Sequence, residues 1–346
     1  MKHDNLTGGF SSLGEFLLTV RKYTDGNITY DRRLDELRSK ALSEGSDSGG
    51  GFTVPQTWAK EIYHASLEQS IVRSRAYVHK MTSGTMNIPT LVDTNRGTNI
   101  FGGITLTWVS EATEKSTSAG DPEFGQVKLK AREGIAYCWV QNQLEDDVNG
   151  FENYMKYAFG KAIGFYEDDV FINGNGVQQP QGIMSSGYMI AETRTGVNVF
   201  DVADIGNMAK RLLPGSWSNA VWLISQSVLA QWCEMQATAA NSVSGIDLGT
   251  MQCLGRPIIV TEKCYALGTT GDIILANFNN GYVIGDRSMV IEGSRHASYG
   301  GSGFLKNQTG WRIVLRVDGQ PIRSTPITPL RGGSTLSDFV CLSTNS

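Results

Sequence analysis

Apolar residues recur at helical spacing in several parts of the first half of the chain. Two short stretches of this kind lie within residues 1–51, and a third predicts a short helix over about 58–69. The clearest case is residues 150–172, whose apolar side chains form one face of a helix about 33 Å long. Asn173 and Gly174 follow it as a helix stop. The pattern therefore predicts one long helix and three short ones before residue 175.

Alternation of apolar and polar residues predicts strands on both sides of a long excursion at about 76–135. These strands cover residues 76–81, 86–89, 127–131 and 135–140. The segment between them, about 90–125, is rich in Gly, Thr, Ser, Asn and Glu, with Trp108 and Phe124 as its few large apolar residues. Such long loops are usually functional or disordered. We expect this segment to lie outside any core of its own subunit.

The second half of the chain mixes both patterns and predicts an α/β unit that begins near residue 200. Helices are expected at about 202–213 and 226–237, and strands at 220–224, 257–260, 271–276, 281–284 and 311–321. Residues 288–303 are polar and rich in Gly, which predicts a loop. Residues 322–346 are expected to run out as extended chain.

Composition narrows the class of protein. The 346 residues suggest two or three domains, and 18% are charged, against about 25% in an average domain. A low charged fraction predicts that other molecules cover much of the surface. The net charge of −4 implies no general affinity for nucleic acid or anionic membrane. We see no signal peptide and no apolar run long enough for a membrane span, and five scattered cysteines predict reduced thiols.

No pattern of catalytic or metal-binding residues is apparent. The four histidines are dispersed, and the motifs of nucleotide, hydrolase and zinc sites are missing. We therefore expect a protein that is not an enzyme and has no cofactor or metal. The one unusual pair is Asp168 and Asp169, because carboxylates in the last turn of a helix oppose its dipole. Two interpretations stay open: solvent exposure, or contact with a basic group from elsewhere.

Charge is also unevenly distributed between two regions. Residues 141–172 carry seven acids against two lysines, and residues 301–346 carry five Lys or Arg against two acids. This asymmetry favours complementary surfaces. The arm, residues 1–51, has mixed charge and ends in a Gly- and Ser-rich run. It has too few apolar residues to add to a core, so we expect it to be disordered or laid across a neighbouring subunit.

Short motifs along nearly the whole chain resemble one family. They are Ser12-Leu13-Gly14-Glu15-Phe16-Leu17, Gly49-Gly50-Gly51-Phe52-Thr53-Val54-Pro55, Trp108-Val109-Ser110-Glu111 with Lys115, Phe171-Ile172-Asn173-Gly174-Asn175-Gly176, Gln179-Pro180-Gln181-Gly182-Ile183, Leu254-Gly255-Arg256-Pro257-Ile258, Phe278-Asn279-Asn280-Gly281-Tyr282, and Arg312 with Arg316-Val317-Asp318-Gly319. Their order and spacing resemble the HK97-like major capsid proteins of tailed bacteriophages. No single motif is decisive, but the set is specific.

The resemblance implies an α+β fold with named parts. These are an N-terminal arm (1–51), a P-domain (52–199) with an E-loop hairpin (about 76–135) and a spine helix (about 150–172), an α/β A-domain (200–305), and a return to the P-domain with a C-terminal tail (306–346). It also implies self-assembly into pentamers and hexamers of an icosahedral shell, assembled in the host cytoplasm, that encloses double-stranded DNA without sequence-specific binding. Scaffolding, portal and decoration proteins would be further partners, and no membrane is involved.

The residues expected to contact other subunits follow from the excursion and the acidic pair. They are Trp108, Glu111, Glu114, Lys115, Phe124, Asp168 and Asp169. Some relatives form Lys–Asn cross-links, and Lys115 is a donor by position, although a solvated lysine is the simpler interpretation. Two alternatives remain: an encapsulin-like nanocompartment shell, against which the long arm argues, and an enzyme of unknown class.

Overall fold

The computed structural model describes residues 7–28, 30–43, 52–67, 70–97, 100, 103, 108, 124–146, 148–237, 246–247, 249–295 and 306–345. Its helices are α1 (Leu13–Thr24), α2 (Arg32–Ser43), α3 (Gln56–Leu67), α4 (Asn142–Asp146), α5 (Val148–Asn173), α6 (Val202–Arg211), α7 (Gln226–Ala237) and α8 (Phe278–Gly281). Its strands are β1 (Phe52–Thr53), β2 (Tyr77–Lys80), β3 (Thr85–Leu91), β4 (Phe124–Lys130), β5 (Arg132–Gln141), β6 (Ile190–Thr193), β7 (Val221–Ile224), β8 (Ile246–Asp247), β9 (Gln252–Cys253), β10 (Arg256–Val260), β11 (Ile273–Ala276), β12 (Tyr282–Ser294), β13 (Gln308–Pro321) and β14 (Phe339–Ser343). None of the described helices is long and apolar enough to cross a membrane.

The long helix α5 confirms the clearest prediction of the sequence. It buries a stripe formed by Phe151, Met155, Phe159 and Ile163 against the first sheet. It ends at Asn173, and the Gly174 N–H donates the last hydrogen bond of the helix to the Val170 carbonyl (2.8 Å). A Cβ atom at Gly174 would collide with carbonyl oxygens of the chain, so only glycine fits there.

The first sheet is built on two long antiparallel strands. Its order is β1-β12-β13-β5, and β2 adds to β12 in parallel. Side chains on one face of the sheet, such as Trp311 and Ile313, join those of α1, α3 and α5 in one hydrophobic core. The other face carries cross-strand pairs, including Arg312 with Glu292. One face is therefore covered by helices, and the other has no helix packed on it among the described residues.

The second sheet has seven strands in the order β6-β14-β11-β7-β10-β9-β8. Helices α6 and α7 pack on one of its faces, where Trp222 and Trp232 are fully buried. Its other face packs against the end of α5, where Phe171 and Ile172 are fully buried. The predicted helices at 202–213 and 226–237 and the predicted strands between 220 and 284 are confirmed, within a few residues at their ends.

Two predictions for the C-terminal half are wrong. Residues 339–343 do not run out as a tail, because they form β14 between β6 and β11 in the second sheet. Residues 288–294 are not loop, because they continue β12 across the first sheet. Strand β12 therefore belongs to the first sheet, so the expected division of the chain at 200–305 does not coincide with either sheet.

The expectation for the arm is also wrong over its described part. Helix α1, capped by the Ser12 hydroxyl, which accepts a hydrogen bond from the Glu15 N–H (3.1 Å), packs on its own subunit. Four of its apolar side chains lie on one face and enter the core of the first sheet. They are Leu13, Phe16, Leu17 and Val20, joined by Phe10 before the helix. The arm contributes to the core because these apolar side chains lie on one face of the helix, although they are few.

Candidate inter-subunit surface

The excursion is a two-stranded hairpin, as the alternation predicted. Strands β3 and β4 pair antiparallel from Thr85 with Lys130 to Leu91 with Phe124. One face of the hairpin packs on its own subunit through Val127 and Leu129, next to Met81 and Val283. The chain just beyond β3 is tied to the same subunit as well, because Asn95 forms a β-bridge with Thr328 and the Arg96 N–H donates to the Thr328 carbonyl (3.0 Å). The base of the excursion is therefore anchored.

The two large apolar residues at the far end are exposed. The Trp108 side chain is 90% exposed and that of Phe124 is 71% exposed. An exposed apolar patch marks a surface for contact with protein, whereas single exposed side chains are ordinary. Contact of both residues with another subunit stays a prediction, and Glu111, Glu114 and Lys115 lie outside the described residues.

Asp168 has a different role from the predicted one. It is only 2% exposed, and its carboxylate accepts hydrogen bonds from the Ile71 N–H (2.7 Å), the Val72 N–H (2.9 Å) and the Ser70 hydroxyl (3.1 Å). Burial raises the pKa of Asp168, and these hydrogen bonds oppose the shift. Neither solvent exposure nor contact with another subunit is correct for Asp168, because its partners belong to its own chain.

Asp169 lies beside Asp168 but is only half-buried. Its carboxylate accepts a hydrogen bond from the Asn173 side-chain amide (2.9 Å), which also donates to the Lys263 carbonyl (2.9 Å). The Lys263 ammonium stands over the Phe165 ring, 3.1 Å from its centroid. These contacts tie the loop after β10 to the end of α5. Contact of Asp169 with another subunit stays a prediction.

The sequence did not reveal the central role of Arg73. Its guanidinium donates to both oxygens of Glu167 on α5 (2.9 Å each) and to both oxygens of Asp286 on β12 (2.5 and 3.0 Å). The Arg73 and Glu167 side chains are almost fully buried. One residue thus joins the long helix to the strand that supports the excursion, and only the tertiary structure brings these three positions together.

Three of the seven acids of residues 141–172 form ion pairs inside the subunit. Glu145 pairs with Arg21 and Arg295, and its other oxygen accepts a hydrogen bond from the Trp311 indole (2.9 Å). Glu152 pairs with Lys156 (2.8 Å). Glu167 pairs with Arg73 (2.9 Å). Lys156 belongs to the same segment and Asp147 lies outside the described residues, so complementary surfaces stay a prediction.

The outer face of α5 is instead aromatic. Tyr154, Tyr157, Phe165 and Tyr166 are all exposed on the half of the helix that faces away from the core. Lys161 is the charged residue among them, and its ammonium lies 4.0 Å from the centroid of the Tyr157 ring. The exposed face of a helix in water is normally charged. This face is suited to contact with protein.

A groove of about 800 Å³ lies beside this aromatic face. It separates α5 from strand β5, which forms one edge of the first sheet. Its lining is mostly apolar, with Ala158, Ala162 and Val170 from the helix and Leu315 from the sheet. The excursion, the aromatic face of α5 and this groove are the surfaces on which a further protein segment could be buried. Among the described residues, no cluster of three or more acidic, His or Cys side chains could hold a metal ion.

Comparison with known proteins identifies the class that this α+β fold defines. The model of the phage capsid family matches residues 50–332. The chain therefore belongs to the phage capsid family. A search of curated proteins found no match.

Solved structures agree on the fold. The chain is similar to the capsid of a native GTA particle, with 17% identity and a TM-score of 0.59 over 82% of this chain and 90% of that one. It is also similar to the capsid of an empty GTA particle (16%, 0.60, covering 80% and 94%) and to a chain from Mycobacterium phage Bobi (16%, 0.53, covering 80% and 91%). The fold is HK97-like, and the chain is a major capsid protein, a structural component of the virion capsid of a tailed phage.

Proposed function

We propose that this chain assembles into pentamers and hexamers of an icosahedral shell that encloses the packaged double-stranded DNA of a tailed phage or prophage. The observation that carries the proposal is the exposed apolar surface of a capsid-family subunit. Trp108 at 90% and Phe124 at 71% exposure stand at the end of an anchored hairpin, and α5 exposes four aromatic side chains. Burial between copies would remove this surface from water.

Charge supports enclosure of DNA without strong binding. The net charge is −4, and the cationic side chains Arg21, Arg73, Arg194 and Arg323 are engaged by carboxylates of the same chain. A lumen that held phosphates tightly would oppose movement of DNA during packaging. Assembly in the host cytoplasm, with scaffolding, portal and decoration proteins as partners, belongs to the same proposal.

The nanocompartment alternative has one observation in its favour. The arm argued against it, but α1, which lies within the arm, packs on the body of the subunit. Nucleic-acid content separates the two functions: particles isolated from a host that carries the source phage or prophage should protect DNA from nuclease, whereas a nanocompartment should contain protein.

Assembly itself is tested with the full chain. Sedimentation velocity followed by electron microscopy should show rings or closed shells in place of a single slow species. A monodisperse monomer across salt and crowding conditions would contradict the proposal.

A further inference from the structure

The chain enters the excursion through a short strand that makes few buried contacts. Strand β2 has four residues, and both Tyr77 (55%) and Val78 (40%) are exposed on it. The chain leaves the excursion through β5, which has ten residues, all of them paired with β13. Segments with few buried contacts open most easily. The position of the entry strand therefore depends on the residues just before it.

Residues 70–73, which we call the latch, lie between α3 and β2 and are held by two consecutive carboxylates of α5. Glu167 accepts two hydrogen bonds from the guanidinium of Arg73 (2.9 Å each). Asp168 accepts hydrogen bonds from the Ser70 hydroxyl (3.1 Å), the Ile71 N–H (2.7 Å) and the Val72 N–H (2.9 Å). Each of these contacts ends on a carboxylate, so the charge of these two groups determines how firmly the latch is held.

The closed latch places more negative than positive charge in the interior. Arg73 also donates to Asp286 on β12 (3.0 Å), so one guanidinium serves the carboxylates of both Glu167 and Asp286. Asp168 is buried too, and its three hydrogen-bond donors are neutral. The other charged groups that face this cluster from neighbouring elements are Asp169 of α5, Arg75, Lys80 of β2, Lys263 after β10, and Arg132 and Glu133 of β5 across the groove.

This burial couples closure of the latch to the binding of protons. Burial raises the pKa of Glu167; Arg73 opposes the shift, and the charges of Asp286 and Asp168 add to it. Burial raises the pKa of Asp168 as well. In an open latch, water would reach both groups and return each pKa toward its ordinary value. The closed state therefore binds protons more tightly, so it is favoured at low pH and loses this advantage as the pH rises through the raised pKa.

We propose that the latch is a proton-controlled hinge at the entry of the excursion, closed in acid and increasingly open as the pH rises. Opening would free the chain that enters the excursion, while β5 stays paired with β13. The excursion could then change its direction relative to the body without unfolding of either sheet. The hinge belongs to a single subunit, so it goes beyond the proposed function and does not require association of copies.

Amide hydrogen exchange of the unassembled full-length chain between pH 5 and pH 8 tests the hinge. Protection factors, corrected for the intrinsic pH dependence of exchange, are compared between residues 70–80 and the buried strand β7. Protection of residues 70–80 should fall at least about fivefold across this range, against a limit of about tenfold per pH unit for each linked proton. Protection of β7 should stay constant. If residues 70–80 are equally protected at every pH, the proposal is overturned.

Two variants identify the group that binds the proton. Glu167→Gln keeps the shape of the side chain but cannot ionise, so residues 70–80 should stay protected at pH 8 and lose most of their pH dependence. Glu152→Gln is the matched control, because Glu152 pairs with Lys156 (2.8 Å) about 22 Å away along the same helix. It should keep the pH dependence of the unaltered chain. Equal melting temperatures confirm that the variants fold, and full pH dependence in Glu167→Gln would overturn the proposal.

Carbon NMR of glutamate carboxyl groups gives a direct readout on the unaltered chain. At least one carboxyl should titrate above the ordinary glutamate pKa of 4.5, and its signal should be missing from Glu167→Gln. Titration of every glutamate at or below that value would also overturn the proposal. Shells formed by a chain whose latch is independent of pH would contradict this inference alone, whereas a pH-dependent latch in a chain that forms no shells would contradict the proposed function alone.

Discussion

The packing of α1 on its own subunit makes a quantitative prediction for Phe16→Ala. The Phe16 side chain is fully buried, with its ring centroid 5.4 Å from that of Phe10 and 5.5 Å from that of Trp58. Truncation of a buried phenylalanine to alanine typically reduces stability by about 3–5 kcal/mol, because apolar burial is lost and a cavity remains. All of these contacts lie within one chain. The whole loss should therefore appear in the unassembled subunit.

Urea unfolding of the unassembled subunit, followed by tryptophan fluorescence, measures this loss. With a slope of about 3 kcal/mol per molar urea, the midpoint should fall by at least about 1 M. Tyr30→Ala is the matched control, because Tyr30 belongs to the same arm but is 68% exposed. Its effect should stay within about 0.5 kcal/mol. If Phe16→Ala unfolds like the unaltered chain and impairs only assembly, the arm packs on a neighbour and the reasoning is wrong.

Three further predictions follow from the same structure. Trp108→Ala should leave the free energy of unfolding of the subunit unchanged but lower the particle yield. Burial of an aromatic side chain in an interface contributes about 1.5–3 kcal/mol, which this variant would lose. As a control, Trp311→Ala should destabilise the subunit itself, because Trp311 is buried in it. Arg73→Met should lower the free energy of unfolding in urea by about 3–5 kcal/mol, because it leaves Glu167 buried without its partner. If this is the cause, the second substitution Glu167→Leu should restore stability. Thiol titration at pH 8 should show the exposed Cys233 as the fast cysteine. Burial raises the pKa of Cys253, Cys264 and Cys341 to about 12 and keeps these thiols protonated. A fast reaction at any of these three would contradict the burial pattern.

The predictable parts of the fold are those that depend on local periodicity. The apolar stripe of α5, the alternation in β3 and β4 and the patterns of α6 and α7 each lie within one short stretch of sequence, and the structure confirms them. The HK97-like fold was also accessible, because motifs in a fixed order carried the resemblance. Strand β14 was not predicted. Its pairing with β11 joins segments more than sixty residues apart, and no local signal marks such a contact.

The residues of the candidate surface also include some that the sequence could predict and some that it could not. Trp108 and Phe124 were found because large aromatics stand out in a polar segment, and both are exposed. Asp168 was misread because its partners lie almost a hundred residues earlier in the chain. The groove between β5 and α5 has no signature in sequence, since it is formed by the place where a sheet ends beneath a helix.

Local patterns in the sequence were enough to predict α5, α6, α7 and the hairpin of β3 and β4, and to show which family the chain resembles. These properties depend on side-chain spacing and on short motifs. Both can be recognised without knowing which other segments pack against them. The burial of each segment became visible in the folded chain alone. The fold placed α1 in its own core and enclosed Glu145 of α4 and Glu167 of α5 in ion pairs with Arg21 and Arg73. Among the described strands, it left β5 with β13 as its one partner. Burial and pairing are properties of two or more segments together, so no single stretch of sequence contains them.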